Sequence, residues 1–195
     1  MVPTLRRTIC VAMVLLAAAA PAAGAQTSAV DRGVWLVGGT GRIYGHRDVG
    51  NDSRSFVIDL NPRVGYFVLP HLAVTANTQF TRSRNEIGWV RTVGVGPGLS
   101  YYFGGPKSRV LPYLTGRTLF QWVRAGIHDA PTSVADRQTA WLAGGGLSVL
   151  VAKNVGLTGE LFYQWTDLHA ERGDWVGENS AEQYGVQFGA TVFAY

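Results

Sequence analysis

Apolar residues recur at every second position through most of the chain beyond residue 33, and each alternating stretch stops at a polar or glycine-containing segment. The pattern is clearest between residues 55 and 68. Phe56, Ile58, Leu60, Pro62, Val64, Tyr66 and Val68 share one face, Ser55, Asp59, Asn61, Arg63 and Gly65 the other, with Val57 and Phe67 as exceptions. Successive side chains of a strand point to opposite faces, so a period of two predicts strands with one apolar face. Pro62 has no N–H to donate to a ladder, which predicts a local irregularity there. Further strands are read at 33–43, 72–82, 89–103, 110–122, 138–151, 155–167 and 181–195, most of them by the same alternation. The fourth sets Gly94, Gly96 and Gly98 in a row on one face, which leaves room for bulky side chains opposite. Segments 45–54, 83–88, 125–136 and 168–180 read as loops by composition, and those near 69–71, 104–109 and 153–154 as shorter turns. Eight antiparallel strands joined in sequence order predict an all-β, up-and-down barrel.

Composition decides what solvent the barrel faces. Only 15% of residues are charged, against about a quarter in an ordinary soluble domain. Beyond the N-terminus, no stretch approaches the about twenty apolar residues of a membrane-spanning helix, so a membrane location would require a closed barrel, which satisfies its own backbone hydrogen bonds. At the N-terminus, Arg6 and Arg7 precede an apolar run from Ile9 to Ala20 that leads into Ala23-Gly24-Ala25. This is the pattern of a secretory signal peptide over residues 1–25, leaving a single barrel domain at 26–195. Loss of those two arginines takes the formal charge from +4 to +2, which argues against a nucleic-acid partner. The one cysteine, Cys10, lies in the signal segment. The mature chain thus has no thiol for a disulfide or a metal, and no cofactor motif stands out.

The last stretch, AEQYGVQFGATVFAY, ends on Tyr195 with Phe193 two places before it. It resembles the C-terminal strand of bacterial outer-membrane β-barrels, and NPRVGYFV before the turn at 69–71 resembles their second strand. Along nearly the whole mature chain the pattern is similar to the small OmpA/OmpX-type barrels. That resemblance implies an eight-stranded transmembrane β-barrel in the bacterial outer membrane, in contact with membrane lipid and lipopolysaccharide. It also implies that Phe193 and Tyr195 act as the signal read by the barrel-assembly machinery, and a monomer with no periplasmic domain. Short connections after even-numbered strands and mostly longer, more polar ones after odd-numbered strands fit turns on the periplasmic side and loops outside. Trp89, Trp122, Trp141 and Trp165 cluster towards the loop end, and Trp35, Tyr66, Tyr101, Phe103 and Tyr195 towards the turn end, as two interfacial belts. A soluble lipocalin-like barrel would share much of this alternation, and Gly33-Val34-Trp35 matches a short G-x-W motif of that family. Its polar face, however, should be densely charged, whereas here Gly, Ser, Thr, Asn and Gln dominate.

With the polar face inward, Asp59, Arg63, Arg117 and Glu160 converge on one lumen, where low dielectric should force them to pair. An eight-stranded barrel is narrow enough for side chains to fill, so the expected outcome is a plug. A gated path for small solutes, or an internal anion site at the arginines, is the alternative. Catalysis on lipid A is a further alternative, since some barrels of this size carry it. The mature histidines, His46, His71, His128 and His169, fall in connections and lack a nucleophile–base spacing. The predicted loops mix both signs of charge, in His46, Arg47, Asp48, Asp52, Arg54, Asp129, Glu171, Arg172, Asp174, Trp175 and Glu178, and suit surface recognition. The terminal strand contains a conflict: Gln183, Gln187 and Thr191 want the lumen, and unbroken alternation would send Phe193 and Tyr195 there too. The expected resolution is a bulge between residues 189 and 191 that turns the aromatics to lipid; without one they would cap the lumen's periplasmic mouth.

Overall fold

The computed structural model describes residues 28–48, 53–85, 88–105, 107–127, 133–169 and 179–195. The expected signal peptide and His128 lie outside them. Eight strands follow one another: β1 Trp35–Asp48, β2 Ser53–Leu69, β3 Leu72–Arg84, β4 Gly88–Tyr102, β5 Val110–Ile127, β6 Ser133–Leu150, β7 Val155–His169 and β8 Asn179–Ala194. Each pairs antiparallel with its sequence neighbours, and β8 closes on β1 from Trp35↔Ala194 to Gly41↔Phe188. Closure leaves no free sheet edge, so every strand finds its ladder partners within the molecule.

The strands run further than the polarity pattern predicts. Gly45, His46, Arg47 and Asp48 pair with Phe56, Ser55, Arg54 and Ser53, and Ala125 and Gly126 pair with Val134 and Ser133. Backbone pairing is indifferent to side-chain polarity. Beyond the apolar belt both faces meet water, so alternation fades while the ladder continues. The connections at that end are 49–52, 85–87, 128–132 and 170–178, against 70–71, 103–109 and 151–154 at the other. The expected division into long and short therefore fails at 85–87 and 103–109, and 49–52 is no longer than 151–154.

Pro62 stays in register opposite Gly39. On its other side the ladder to β3 lapses between Leu60↔Phe80 and Arg63↔Asn77 without a shift, and the register change falls instead between Phe67 and Leu69. There the chain approaches the tight turn at His71, whose φ of 71° lies in the left-handed region. The missing donor at Pro62 thus interrupts pairing but does not move it.

Faces sort cleanly. Leu60, Val64, Phe80, Val93, Val95, Leu114, Phe120, Leu161 and Phe188 point outward, as do Trp35, Tyr66, Trp122, Trp141 and Trp165. Asp59, Asn61, Arg63, Asn77, Gln79, Arg117, Gln121, Glu160 and Gln187 are buried inside. An apolar exterior around a polar, buried interior is the inverse of a soluble fold and matches a barrel whose solvent is lipid. Val57 and Phe67, the two exceptions in the β2 pattern, are buried towards opposite ends of the same inner face.

No element is predicted for residues 28–32, and β1 begins two residues later than the predicted strand. Phe67 N donates to Val34 O at 2.9 Å, Gly33 N donates to Phe67 O at 2.9 Å, and His71 N donates to Val30 O at 2.8 Å. These bonds draw 28–34 beneath the barrel, where Ala29, Val30 and Val34 join Leu36, Phe67, Ala73, Tyr102, Leu111, Tyr113 and Phe193 in an apolar cluster. One end of the lumen is thereby closed with hydrocarbon and aromatic rings.

Candidate functional site in the barrel lumen

Above the apolar cluster lies a carboxylate between two arginines. Glu160 Oε2 accepts from the Tyr113 hydroxyl at 2.7 Å, and Oε1 accepts from Gln187 Nε2. Arg63 Nη1 stands 3.6 Å from Oε2, and Arg117 Nη2 4.0 Å from Oε1. Arg63 also donates from Nη2 to Tyr102 Oη and Thr191 Oγ1, each at 3.5 Å, and its guanidinium lies 5.3 Å from the centre of the Tyr113 ring. Burial here is nearly complete: Glu160 is 1%, Arg63 3% and Arg117 5% exposed.

The arrangement follows from the faces of β2, β5 and β7. Glu160 lies opposite Gln187 on β8 and Gly146 on β6. A Cβ on Gly144 would stand 3.2 Å from Glu160 Oε1, so the missing side chains on β6 make room for the carboxylate. The expected glycine row on β4 works the same way: a Cβ at Gly98 would come 2.7 Å from Asn77 Nδ2, and one at Gly94 3.0 Å from Gln121 Cγ.

Asp59 centres a second layer further from the apolar cluster. Its Oδ2 accepts from both Arg42 Nε at 3.0 Å and Nη2 at 2.7 Å, two charge-assisted bonds converging on one oxygen. Oδ1 accepts from Thr81 Oγ1 at 3.1 Å, Asn61 Nδ2 at 3.3 Å and Gln79 Nε2 at 3.5 Å. Gln138 donates to Gln121 at 2.8 Å and Gln121 to Gln79 at 2.6 Å, carrying the network across β6, β5 and β3. Arg42 Nη2 reaches Gln183 Oε1 on β8 at 2.9 Å, and its guanidinium lies 4.5 Å from the centre of the Phe162 ring. Asn61 Nδ2 to Gln187 Oε1, at 3.3 Å, joins the two layers.

The four residues expected to share the lumen do so, but in two groups: Arg63, Arg117 and Glu160 together, Asp59 with Arg42. Arg42 was not anticipated, because Gly38, Gly39 and Gly41 around it leave β1 without a readable alternation. Tyr102, Tyr113, Gln79, Gln121 and Gln187 were also missed as network members. Arg117 is the least satisfied of the buried cations: its Nε and Nη2 have no hydrogen-bond partner, and Arg63 Nε has none either.

The terminal strand corrects one expectation. β8 is regular against β7 from Val155↔Val192 to Leu168↔Asn179 and against β1 from Trp35↔Ala194. The bulge at 189–191 is absent. Pairing on both sides fixes the register, and a Cβ at Gly189 would come 1.8 Å from Gly39 O, so the two strands press together where the bulge was expected. Phe193 accordingly points inward, fully buried, with ring centres 6.0 Å from Tyr102 and 6.4 Å from Phe67. Tyr195 follows the end of β8 and is 37% exposed. Phe193 thus caps the mouth as part of the apolar cluster.

Among the histidines, His71 lies at the apolar-cluster end, its ring centre 6.2 Å from that of Tyr101. His46 and His169 lie in the far reaches of β1 and β7. Of the charged residues expected in loops, His46, Arg47, Asp48 and Arg54 belong to strands, whereas Asp52, Asp129, Glu171, Arg172, Asp174, Trp175 and Glu178 lie outside the described residues. Among the described residues no group of His, Cys, Asp and Glu could hold a metal ion.

No protein-family model and no curated protein matches the sequence. Solved structures do. The N-terminal β-barrel domain of Pseudomonas aeruginosa OprF is similar with a TM-score of 0.55 at 15% identity, over 83% of this chain and 98% of that one. Neisserial surface protein A, NspA, is similar with a TM-score of 0.54 at 16% identity, over 82% and 96%. With a closed ring of eight antiparallel strands, an apolar exterior and a side-chain-filled lumen, this chain has the fold of the small outer-membrane β-barrels.

Proposed function

We propose that the protein is a non-conducting outer-membrane barrel whose role is structural or interactive at the cell surface, the lumen serving as its core. The observation that carries this reading is the burial of Arg63, Arg117 and Glu160 above a mouth filled by Phe67, Tyr102, Tyr113 and Phe193. A solute path would have to part a charged, hydrogen-bonded layer and an aromatic one. In this reading the connections at 49–52, 85–87, 128–132 and 170–178 face outward from the cell, and 70–71, 103–109 and 151–154 face the periplasm. The barrel is a monomer in contact with outer-membrane lipid and lipopolysaccharide, and Phe193 and Tyr195 supply the address for the assembly machinery. No catalytic role is assigned in this reading, which puts His71 at the periplasmic end, away from the leaflet that holds lipid A.

Two measurements test the reading. The protein should fractionate with outer membranes and migrate differently on gels before and after boiling; recovery in the soluble periplasm would overturn it. Reconstituted in planar bilayers, the protein should give no steady current. Steady, salt-dependent conductance that disappears in Arg117→Ala would replace the plug with a gated channel.

A further inference from the structure

The exterior of β3, β4 and β5 carries a row of arginines placed by register. Arg82 on β3 lies directly opposite Arg91 on β4, and Arg91 directly opposite Arg124 on β5. All three are exposed and stand on the outward face, in line with Phe80, Val93 and Trp122 one pleat nearer the barrel's middle. Arg84 stands one pleat further out on the same face, opposite Trp89, and Arg137 on β6 is the exposed neighbour of Trp122. β3, β4 and β5 contain no Asp or Glu. Among the described residues no ion pair engages Arg82, Arg91 or Arg124.

Like charges directly opposite across a ladder are destabilising, because their Cβ atoms are about 5 Å apart. Three such residues in one row, uncompensated by any carboxylate on their own strands, call for an external anion. The surroundings say what kind. Two residues along each strand, about 7 Å away, the surface becomes the apolar belt of Phe80, Val93 and Trp122, a surface for acyl chains. Trp89 lies over Gly126, where a Cβ would come 2.8 Å from its ring, and Arg91 stands 4.9 Å from the centre of that ring. Aromatic rings of this kind mark the headgroup level of a bilayer. An occupant that places phosphates on the arginines and hydrocarbon on the belt below is a phosphorylated lipid. Interstrand spacing of about 4.8 Å spreads the three guanidiniums over about 10 Å, which suits more than one phosphate on a broad headgroup.

We propose that the row Arg82–Arg91–Arg124 is a docking site for the phosphorylated glycolipid headgroup of the outer leaflet, of the lipid A class. The placement in that leaflet rests on the orientation proposed above; the chemistry of the row does not. Bound phosphate would neutralise the ladder's own repulsion, so the lipid would also stabilise the barrel where β3, β4 and β5 meet.

The test is a titration of the purified protein in zwitterionic micelles, read by tryptophan fluorescence, for which Trp89 and Trp122 are local reporters, and by the temperature of the gel-mobility shift. The probes are bisphosphorylated lipid A, the same lipid without phosphates, and inorganic pyrophosphate. Bisphosphorylated lipid A should bind and raise the transition temperature, with the dephosphorylated form at least about tenfold weaker. At about fivefold per basic residue near a lipid surface, Arg91→Gln should weaken binding about fivefold and the triple glutamine variant about a hundredfold. Arg109→Gln, on the 103–109 connection at the other end, should bind like the unaltered protein. Arg91→Gln alone carries the test if the triple variant does not fold. Equal affinity for the dephosphorylated lipid, or undiminished binding by Arg91→Gln, would overturn the site. Pyrophosphate binding as tightly as lipid A would overturn its assignment to a lipid. Failure of outer-membrane fractionation would instead strike the proposed location, leaving the micelle result to stand or fall by itself.

Discussion

Glu160→Ala should destabilise the folded barrel by about 3–5 kcal/mol, the range for removing one partner from a buried ion pair. The substitution takes away the carboxylate that separates Arg63 from Arg117 and strips Tyr113 and Gln187 of an acceptor. Two guanidiniums would then share a buried layer with no counter-charge. Arg117→Met should be nearly neutral. Arg117 contributes one ion-pair contact at 4.0 Å and leaves Nε and Nη2 without hydrogen-bond partners. Exchanging it for an apolar side chain of similar length should change stability by no more than about 1 kcal/mol, because an unsatisfied buried donor costs about what its weak contact returns. Urea titration of the purified protein in micelles, followed by the gel-mobility shift, measures both. Equal losses in the two variants would mean that Glu160 does not organise the layer. The double variant separates the terms further: adding Arg117→Met to Glu160→Ala should recover part of the loss by removing one of the two opposed charges.

The difference between these residues explains what the chain discloses before folding. Which way Asp59, Arg63, Arg117 and Glu160 point is legible, because β2, β5 and β7 alternate over most of their length and their apolar positions must face lipid. Which of them meet is not legible. Glu160 reaches Arg63 and Arg117 only because the ring closes with a particular stagger, and closure is set by the summed register of eight ladders. Arg42 was hidden for a different reason: glycines have no side chain to assign to either face, so β1 carries no readable period where it supplies the partner of Asp59. The reach of the strands beyond the belt was hidden as well, since hydrogen bonding of Arg47 to its neighbour across the ladder leaves no trace in polarity. Residues 28–32 are too few and too mixed to show any period, although Val30 proves to be a buried part of the apolar cluster.

Phe193→Ala should cost about 3–5 kcal/mol, the range for truncating a buried aromatic ring, whereas Tyr195→Ala should change the stability of the purified barrel by less than about 0.5 kcal/mol. The contrast comes from register. Unbroken pairing of β8 with β1 and β7 sends Phe193 into the cluster, where Leu36, its partner across the ladder, and the rings of Phe67 and Tyr102 surround it. The site cannot easily collapse onto the space left by alanine, because closed strands on either side hold the backbone at fixed separation. Tyr195 lies beyond the strand and keeps over a third of its surface exposed. Had β8 carried a bulge between 189 and 191, the ranking would be reversed for Phe193, whose ring would face lipid or detergent and whose truncation would leave no cavity. Urea titrations of the two single variants therefore measure the direction of the terminal strand directly, and a loss below about 1 kcal/mol for Phe193→Ala would contradict an inward ring.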